Sequence, residues 1–289
     1  MRRFLHLAVL AAWGAALACA ADAPHRIISA SPSITEILYG VGAFDRVIAV
    51  TEYDTYPPAV KSLPHIGKWE NTDLEKIAIL RPDLVLFIEP QAPFIEPQLR
   101  QLGIRYLPVP SRSLDDVFAA IDLIGKTTGH EGQAKELAAR VHARLDAVRA
   151  QARGLARRRV LLIVDRTPGT LRDLYTATRG SFLCDVVEVA DGECVGAAER
   201  LGYGKIGKEA VVALAPDVVI DFVHGSNSRL GEDLQAVWRD LPELRAVREG
   251  HVYPVNEEFV PHPSQFVADT AEVFFRILHP EAHTGKSAR

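Results

Sequence analysis

The chain has 289 residues, 48% of them hydrophobic, with 33 basic and 37 acidic side chains and a formal net charge of −4. This mild negative charge argues against a nucleic-acid partner, because nucleic-acid-binding proteins carry a basic surface. The hydrophobic content is ample for packed cores, and the length favours two domains of about 150 residues each.

The first twenty residues predict a secretory signal peptide that is not part of the fold. Arg2 and Arg3 form a basic start, residues 4–18 are almost wholly apolar, and small residues follow them. This order is typical of a signal peptide, and the apolar run is shorter than the roughly 20 residues that a membrane-spanning helix needs. A buried N-terminal helix is the alternative. We therefore expect residues 1–20 to be removed and the protein to work outside the cytoplasm.

Cysteine usage fits an exported protein. Cys19 follows a short run of small and apolar residues that resembles a lipoprotein box, so a lipid anchor through Cys19 stands beside ordinary cleavage. Cys184 and Cys194 lie close together in the chain, and an oxidising compartment favours a disulfide between them. Two buried thiols are the other interpretation, since spacing alone does not give the geometry of a bridge.

The first half of the mature chain alternates strands and helices. Strands are predicted over residues 25–30, 46–50, 84–88 and 106–109. A helix is predicted to start at Ser33, because Ser33 and Glu36 have the spacing of a capping box. Strand–helix–strand units of this kind indicate a parallel α/β sheet.

Residues 131–157 predict one long helix between two α/β halves. The stretch contains no proline and repeats apolar residues every three or four positions. A helix of this length spans on the order of 35 to 40 Å, and it is stiffer than a linker rich in Gly and Ser. The predicted organisation is an N-terminal α/β lobe over 24–128, an interlobe helix within 129–157 and a C-terminal α/β lobe over 158–280.

The two halves share a repeat. Glu75 and Pro82 are spaced like Glu209 and Pro216, and in both halves the proline is followed by Asp and an apolar strand. The repeat predicts two similar lobes, each with a central parallel sheet.

Aromatic and polar side chains cluster after the predicted strands, where ligands of open α/β sheets bind. The candidate ligand-binding residues are Ser33, Tyr53, Trp69, Tyr203, His224, Phe259 and His262. Converging aromatic and polar groups are typical of ligand pockets, so we interpret the aromatic members as walls of a cleft. The alternative is that each aromatic ring simply covers a core.

Several segments together resemble the periplasmic binding proteins for vitamin B12 and ferric siderophores. They are residues 26–38, Tyr53 with residues 56–58, residues 80–85, the 131–157 helix and residues 250–255. The resemblance implies a class III fold, with two Rossmann-like lobes joined by one long rigid helix and little closure on binding. It also implies a monomeric periplasmic protein that delivers a metal chelate to the permease subunits of an ABC importer. A cofactor of its own, a nucleic-acid partner and an enzymatic activity are not expected.

The resemblance further implies one exposed acidic residue on each lobe that docks onto the permease. Glu209 stands where cobalamin-binding members have theirs, six residues after the aromatic residue Tyr203. In the N-terminal lobe Glu96 opens the corresponding helix, and Glu89 lies nearby in the chain.

The resemblance favours cobalamin or a related corrinoid as the ligand, with a ferric siderophore or haem as the alternative. Cobalamin-binding members carry an acidic residue and an arginine in the last cleft loop. Here Glu257 and Glu258 are present, but Pro-His-Pro at residues 261–263 replaces the arginine region. His262 and His224 could contact a chelated metal, and a hydrogen-bonded loop histidine is the other interpretation.

Two other classes compete with this interpretation. A zinc or manganese carrier needs three or four converging His or carboxylate ligands, but the ten histidines are scattered along the chain. An exported hydrolase would need a catalytic motif, and the chain has no Gly-x-Ser-x-Gly elbow, no His-Glu-x-x-His and no phosphate-binding loop. The sequence disfavours both.

Overall fold

The computed structural model describes residues 23–69, 71–196, 202–223 and 231–284. It confirms the predicted fold class, a mixed α/β protein with two lobes that are each built on a central parallel sheet. The predicted signal peptide, including Cys19, lies outside the described residues. Within the described ranges, no helix combines the length and the apolar character that crossing a bilayer requires.

The N-terminal lobe is a parallel sheet covered by helices. In chain order its elements are β1 (Ile27–Ser29), α1 (Pro32–Gly40), β2 (Val47–Ala49), β3 (Gly67–Lys68), β4 (Asn71–Thr72), α2 (Leu74–Leu80), β5 (Leu84–Ile88), α3 (Ala92–Gln101), β6 (Tyr106–Val109) and α4 (Leu114–Thr128), with 3-10 turns at Phe44–Arg46, Pro58–Ser62 and Glu89–Gln91. The parallel order is β2-β1-β5-β6, and β3 and β4 form a separate hairpin. All of β5 is buried, because alternate residues pack into the cores on the two faces of the sheet.

The C-terminal lobe has a mixed sheet. After α5 (Glu131–Ala152), its elements are β7 (Arg159–Asp165), β8 (Tyr175–Ala177), α6 (Phe182–Val189), β9 (Glu193–Cys194), β10 (Tyr203–Lys205), α7 (Lys208–Leu214), β11 (Val218–Phe222), α8 (Leu234–Trp238), α9 (Arg245–Arg248), β12 (Val252–Val255), α10 (Val267–Leu278) and α11 (Glu281–Thr284). Strands β7, β11 and β12 are parallel, whereas β8 and β10 are antiparallel additions that the sequence did not predict. Both additions have only 3 residues, which is too short to show an alternating pattern.

The predicted repeat is present in atomic detail. Helices α2 and α7 both end in a left-handed residue before the proline, with φ and ψ of 47° and 61° at Arg81 and of 46° and 58° at Ala215. In both lobes an arginine at the start of the first strand caps the helix that precedes the proline. Arg26 Nη2 donates to the Leu80 carbonyl at 2.6 Å, and Arg159 Nη2 donates to the Leu214 carbonyl at 2.9 Å.

Helix α5 connects the lobes, but it is shorter than predicted and is packed along its length. It ends at Ala152 rather than at 157, because the chain turns at Gly154, whose φ is +83°. Its buried face, which includes Leu137 and Leu145, contacts helices of both lobes. One hydrophobic cluster therefore runs from the N-terminal lobe through α5 into the C-terminal lobe.

The predicted disulfide between Cys184 and Cys194 is confirmed. The two Cα atoms lie 5.3 Å apart, and the bridge joins α6 to β9. This covalent link closes a short loop inside the C-terminal lobe.

Candidate functional site: the facing strand ends of the two lobes

Loops that follow strands of the N-terminal and C-terminal lobes meet the other lobe at two junctions. On one side, the loop after β6 meets the start of α6: the Phe182 amide donates to the Arg112 carbonyl at 2.6 Å, and the Leu114 amide donates to Asp185 Oδ2 at 2.8 Å. On the other side, α1 meets the loop after β12. Since ligands of open α/β sheets bind beyond the carboxyl ends of the strands, the space between these two junctions is the candidate site.

Two of the predicted ligand-binding aromatics expose their rings on the N-terminal lobe. Tyr53 follows β2 and is 41% exposed, and Trp69 in the β3–β4 turn is 39% exposed. Large aromatic side chains contribute most when they are buried, so exposed rings at strand ends are available to a ligand with a flat apolar surface.

A chain of aromatic rings crosses from one lobe to the other. The rings of Tyr56 and Phe266 meet edge to face at 5.2 Å, and Phe259 lies 5.8 Å from Phe266. Phe259, the predicted ligand-binding residue of the last cleft loop, is partly buried against the large core cluster. The loops after β2 and β12 are thereby held in contact with each other.

Tyr203 forms a second aromatic group on the C-terminal lobe. Its ring stacks on Tyr175 with the centroids 6.4 Å apart, and burial raises the pKa of the Tyr203 phenol, with smaller contributions from Tyr175 and Asp185. Tyr203 thus lies near the Asp185 junction. Among the described residues, the ring contacts do not connect this pair to the Tyr56–Phe266 chain of rings, so the predicted aromatic set divides into separate groups.

The N-terminal lobe also has an open polar recess next to the two exposed aromatics. Its volume is about 740 Å³, and its lining includes Glu52, His65, Lys68, Asn71, Thr72 and Asp73. Glu52 and Lys68 are the chain neighbours of Tyr53 and Trp69. A ligand held by these rings would have carboxylate, ammonium and amide groups within reach on this side.

Ser33 is not at the helix N-terminus where the sequence placed it. The N-cap residue is Ser31, two residues before Ser33, and the helix begins at Pro32, a position that proline favours. Ser33 is 2% exposed, and its hydroxyl hydrogen-bonds to the Ser31 hydroxyl at 3.0 Å. The predicted Ser33–Glu36 capping box is therefore wrong, and the Glu36 side chain is used elsewhere.

His262 takes the hydrogen-bonded role that the sequence left open as an alternative. Its Nδ1 lies 2.7 Å from Glu36 Oε1, and the imidazole is only 17% exposed. His224 lies outside the described residues. Over the described ranges, no three His, Cys, Asp or Glu residues are grouped so that they could hold a metal ion.

Asp54 is a buried carboxylate in the loop that carries Tyr53. Its Oδ2 accepts hydrogen bonds from the Thr51 amide at 2.8 Å and the Thr51 hydroxyl at 2.5 Å. Burial raises the pKa of Asp54, although the hydrogen bonds from Thr35 and Thr51 and the nearby His262 oppose the shift. The charged form of Asp54 therefore costs free energy at this buried position.

Replacing Asp54 with Asn is expected to stabilise the protein at pH 7, because the raised pKa of Asp54 means that its charged form opposes folding there. A raised pKa means that the folded protein holds the proton more tightly than the unfolded chain, so this group favours folding most at acid pH and least once pH has risen through the folded pKa. The advantage of the variant should shrink as pH falls toward 4. Urea unfolding at several pH values measures it, with the exposed Asp45→Asn as control; a less stable Asp54→Asn at pH 7 would contradict this assignment.

The predicted docking carboxylates differ in their surroundings. Glu209 is exposed in the first turn of α7. Glu96 accepts hydrogen bonds from Arg100 and from the Tyr106 hydroxyl, and Glu89 has Arg112 at 3.6 Å. Glu75, exposed in the first turn of α2, occupies the position that matches Glu209 in the repeat. Glu75 is not among the docking residues predicted from the sequence, although the repeat pairs it with Glu209.

Comparison with known proteins shows the class. Residues 27–258 match the family model for periplasmic binding proteins, so the chain belongs to the periplasmic binding protein family. A relative in Bacillus subtilis, an uncharacterised ABC transporter substrate-binding lipoprotein, is 29% identical over 89% of this chain and 81% of its own length. The vitamin B12-binding protein of Yersinia pestis is 30% identical over 78% of this chain and 77% of its own length.

Solved structures agree with this family. The periplasmic vitamin B12-binding protein BtuF of Vibrio cholerae has a TM-score of 0.76 and 25% identity, covering 90% of this chain and 98% of its own. The periplasmic haem-binding protein RhuT of Roseiflexus sp. RS-1 has a TM-score of 0.74 and 25% identity, covering 88% of this chain and 98% of its own. Both resemble this chain over nearly its whole length.

Proposed function

We propose that this periplasmic binding protein captures cobalamin or a related corrinoid between its lobes and delivers it to an ABC importer. The observation that carries the proposal is the pair of exposed rings, Tyr53 in the loop after β2 and Trp69 in the β3–β4 turn. A corrinoid is a wide, largely flat chelate with amide arms, which suits aromatic rings beside a polar recess. The vitamin B12-binding relatives support this ligand class.

The contacts between the lobes support binding without a large closure. Hydrogen bonds at the Arg112–Phe182 and Glu36–His262 junctions, together with α5, connect the lobes at three places. A gap held in this way binds a ligand with little loss of conformational freedom. The protein is proposed to capture its ligand reversibly, and we do not expect it to convert the ligand chemically.

A titration of the purified protein tests the ligand. Cyanocobalamin, haemin and ferric hydroxamate and catecholate siderophores are added separately, and binding is followed by calorimetry and tryptophan fluorescence. We expect saturable binding of cyanocobalamin. Tight binding of haemin or a ferric siderophore instead would reassign the ligand within the chelate class, and no binding of any chelate, or chemical turnover of one, would overturn the proposal.

The Trp69→Ala variant locates the site. Loss of a ring that covers one face of the chelate should weaken cobalamin binding by about 10- to 100-fold, as for a typical aromatic hot spot. Ile79→Ala, which removes another exposed apolar side chain of the same lobe, should leave the affinity unchanged. Equal effects of the two variants would place the ligand elsewhere.

Permease docking is proposed to use Glu209 together with Glu75. The repeat places these two carboxylates at matching positions in the two lobes, each exposed in the first turn of a helix. Because Glu96 already has Arg100 and Tyr106 as partners, it is the less suitable residue of the N-terminal lobe.

Transport measurements separate these carboxylates. Glu209→Ala and Glu75→Ala should each slow uptake at least about 10-fold, since a charge-assisted contact contributes roughly 1.5–3 kcal/mol. Glu209→Ala should leave ligand affinity unchanged, and uptake by Glu75→Ala is measured at saturating ligand because Glu75 also lines the polar recess. Glu96→Ala should transport normally. Slow uptake in Glu96→Ala with normal uptake in Glu75→Ala would restore Glu96 as the docking residue.

A further inference from the structure

A buried carboxylate is one of the contacts that hold the loop after β12 against the other lobe. Glu36 on α1 is 3% exposed, and it lies more than two hundred residues away in sequence from the groups that it holds. Its Oε1 lies 2.7 Å from His262 Nδ1, and its Oε2 accepts from the Ser264 hydroxyl at 2.5 Å. The Glu36 carbonyl also accepts from Gln265 Nε2 at 2.8 Å.

The loop held by Glu36 is the one that carries Phe259. Ser264 Oγ also accepts from the Phe266 amide at 3.2 Å, so the same hydroxyl connects the carboxylate to the base of α10. Phe266 in turn contacts both Tyr56 and Phe259. A displacement of Ser264 would therefore move the rings on both sides of the junction.

A buried carboxylate is an expensive way to hold two lobes together. Apolar side chains of similar volume would join them at lower free-energy cost, because no charge would have to leave water. What a carboxylate adds is direction, since its two oxygens fix the positions of two separate donors. At this junction the carboxylate therefore fixes the positions of His262 and Ser264 relative to α1.

We propose that Glu36 is a positioning residue, which fixes the last cleft loop against the N-terminal lobe and so presets the spacing between Phe259 and the Tyr53 side of the site. The inference rests on the proposed function for its effect on ligand binding. The preset spacing lowers the ordering cost of capture, and its loss should appear mainly in the rate at which the ligand leaves.

The first test uses the ligand-free protein. Glu36→Ala removes both side-chain hydrogen bonds of the carboxylate. Ser264→Ala, which removes one of them together with the hydrogen bond from the Phe266 amide, serves if the first variant folds poorly, and exchange is then read at residues 256–265. Hydrogen exchange followed by mass spectrometry should show amides of residues 256–266 exchanging at least 10-fold faster, with β5 and β11 unchanged. Glu36→Gln, which keeps an acceptor for Ser264, should lie between wild type and Glu36→Ala.

The control breaks a neighbouring contact that does not involve the loop. Arg144 on α5 hydrogen-bonds to Asp269 and Glu272 on α10, so Arg144→Ala should leave exchange in residues 256–266 at the wild-type rate. Unchanged exchange in both Glu36→Ala and Ser264→Ala, or an increase spread evenly over the molecule as for simple destabilisation, would overturn the proposal.

The second test measures dissociation of whichever chelate the wild-type protein binds. Glu36→Ala should release it at least 10-fold faster, and Arg144→Ala should release it at the wild-type rate. Faster exchange in the loop with an unaltered release rate would overturn the positioning role. If the wild-type protein binds no chelate, the proposed function fails, and the exchange experiment alone decides whether Glu36 fixes the loop.

Discussion

Replacing Arg166 with Ala is expected to lower the free energy of unfolding by about 3–5 kcal/mol, the cost of breaking a buried ion pair. The Arg166 side chain is 0% exposed, with Asp221 Oδ2 at 2.7 Å from Nε and Glu232 Oε2 at 2.5 Å from Nη2. Trp238 Nε1 also donates to Asp221 at 2.9 Å. The variant would remove the guanidinium that pairs with both carboxylates in this largely buried network.

Removal of the Arg166 side chain should affect more than its immediate surroundings, because of where Arg166 lies in the chain. It follows β7 directly, while Asp221 lies on β11 and Glu232 accepts from the Gly169 amide. The network therefore connects the segment after β7 with β11 and with the segment that contains Glu232, at one end of the sheet of the C-terminal lobe. Guanidinium chloride unfolding measures the effect.

The matched control is Arg149→Ala. Arg149 and Asp146 form an exposed pair on α5 at 2.8 Å, and exposed pairs contribute less than about 1 kcal/mol. If Arg166→Ala lowered the free energy of unfolding as little as Arg149→Ala, the network would not contribute the stability that its geometry indicates.

Leu145→Ala is expected to cost about 2–5 kcal/mol, the range for a buried leucine that leaves a cavity. Leu145 is 0% exposed on the buried face of α5, within the cluster that extends into both lobes. Because the core is continuous, both lobes should lose stability together and unfold in one transition.

Two fluorescence probes distinguish a single unfolding transition of the whole protein from independent unfolding of the two lobes. In the protein without residues 1–20, which contain Trp13, fluorescence of Trp69 reports the N-terminal lobe and that of Trp238 the C-terminal lobe, each measured with the other of these two tryptophans replaced by Phe. Coinciding transitions are expected in wild type and in Leu145→Ala, and the exposed Lys135→Ala should be nearly neutral. Separate transitions would mean that α5 does not couple the lobes.

Local patterns in the sequence predicted much of the fold. The repeat around Pro82 and Pro216 predicted α2, α7 and the buried strands after them, because a helix, a proline and an apolar run each follow short-range rules. The two-lobe plan came from the resemblance to a family and from the long apolar-periodic stretch that forms α5. The predicted extension of α5 to residue 157 is wrong, because Gly154 turns the chain after Ala152.

The site was harder to predict because its contacts are not local. Ser33 and Glu36 matched the spacing of a capping box, yet Pro32 set the helix start and Glu36 found His262 across the lobe junction. No spacing rule relates residues so far apart in the chain. The prediction that Glu96 opens its helix is wrong, because α3 begins at Ala92. Glu96 pairs with Arg100 one helical turn later, a spacing that the sequence contains, and with Tyr106 on β6.

The most direct test of the account is the location of the bound metal. Crystals of the protein grown with cyanocobalamin, measured at the cobalt absorption edge, should show one anomalous peak between the lobes. We expect this peak between Tyr53 and Trp69 of the N-terminal lobe and Phe259 of the C-terminal lobe. A peak on an outer face of either lobe, or crystals in which saturating cobalamin, haemin and ferric siderophores each leave that space without a metal peak, would contradict capture between the lobes.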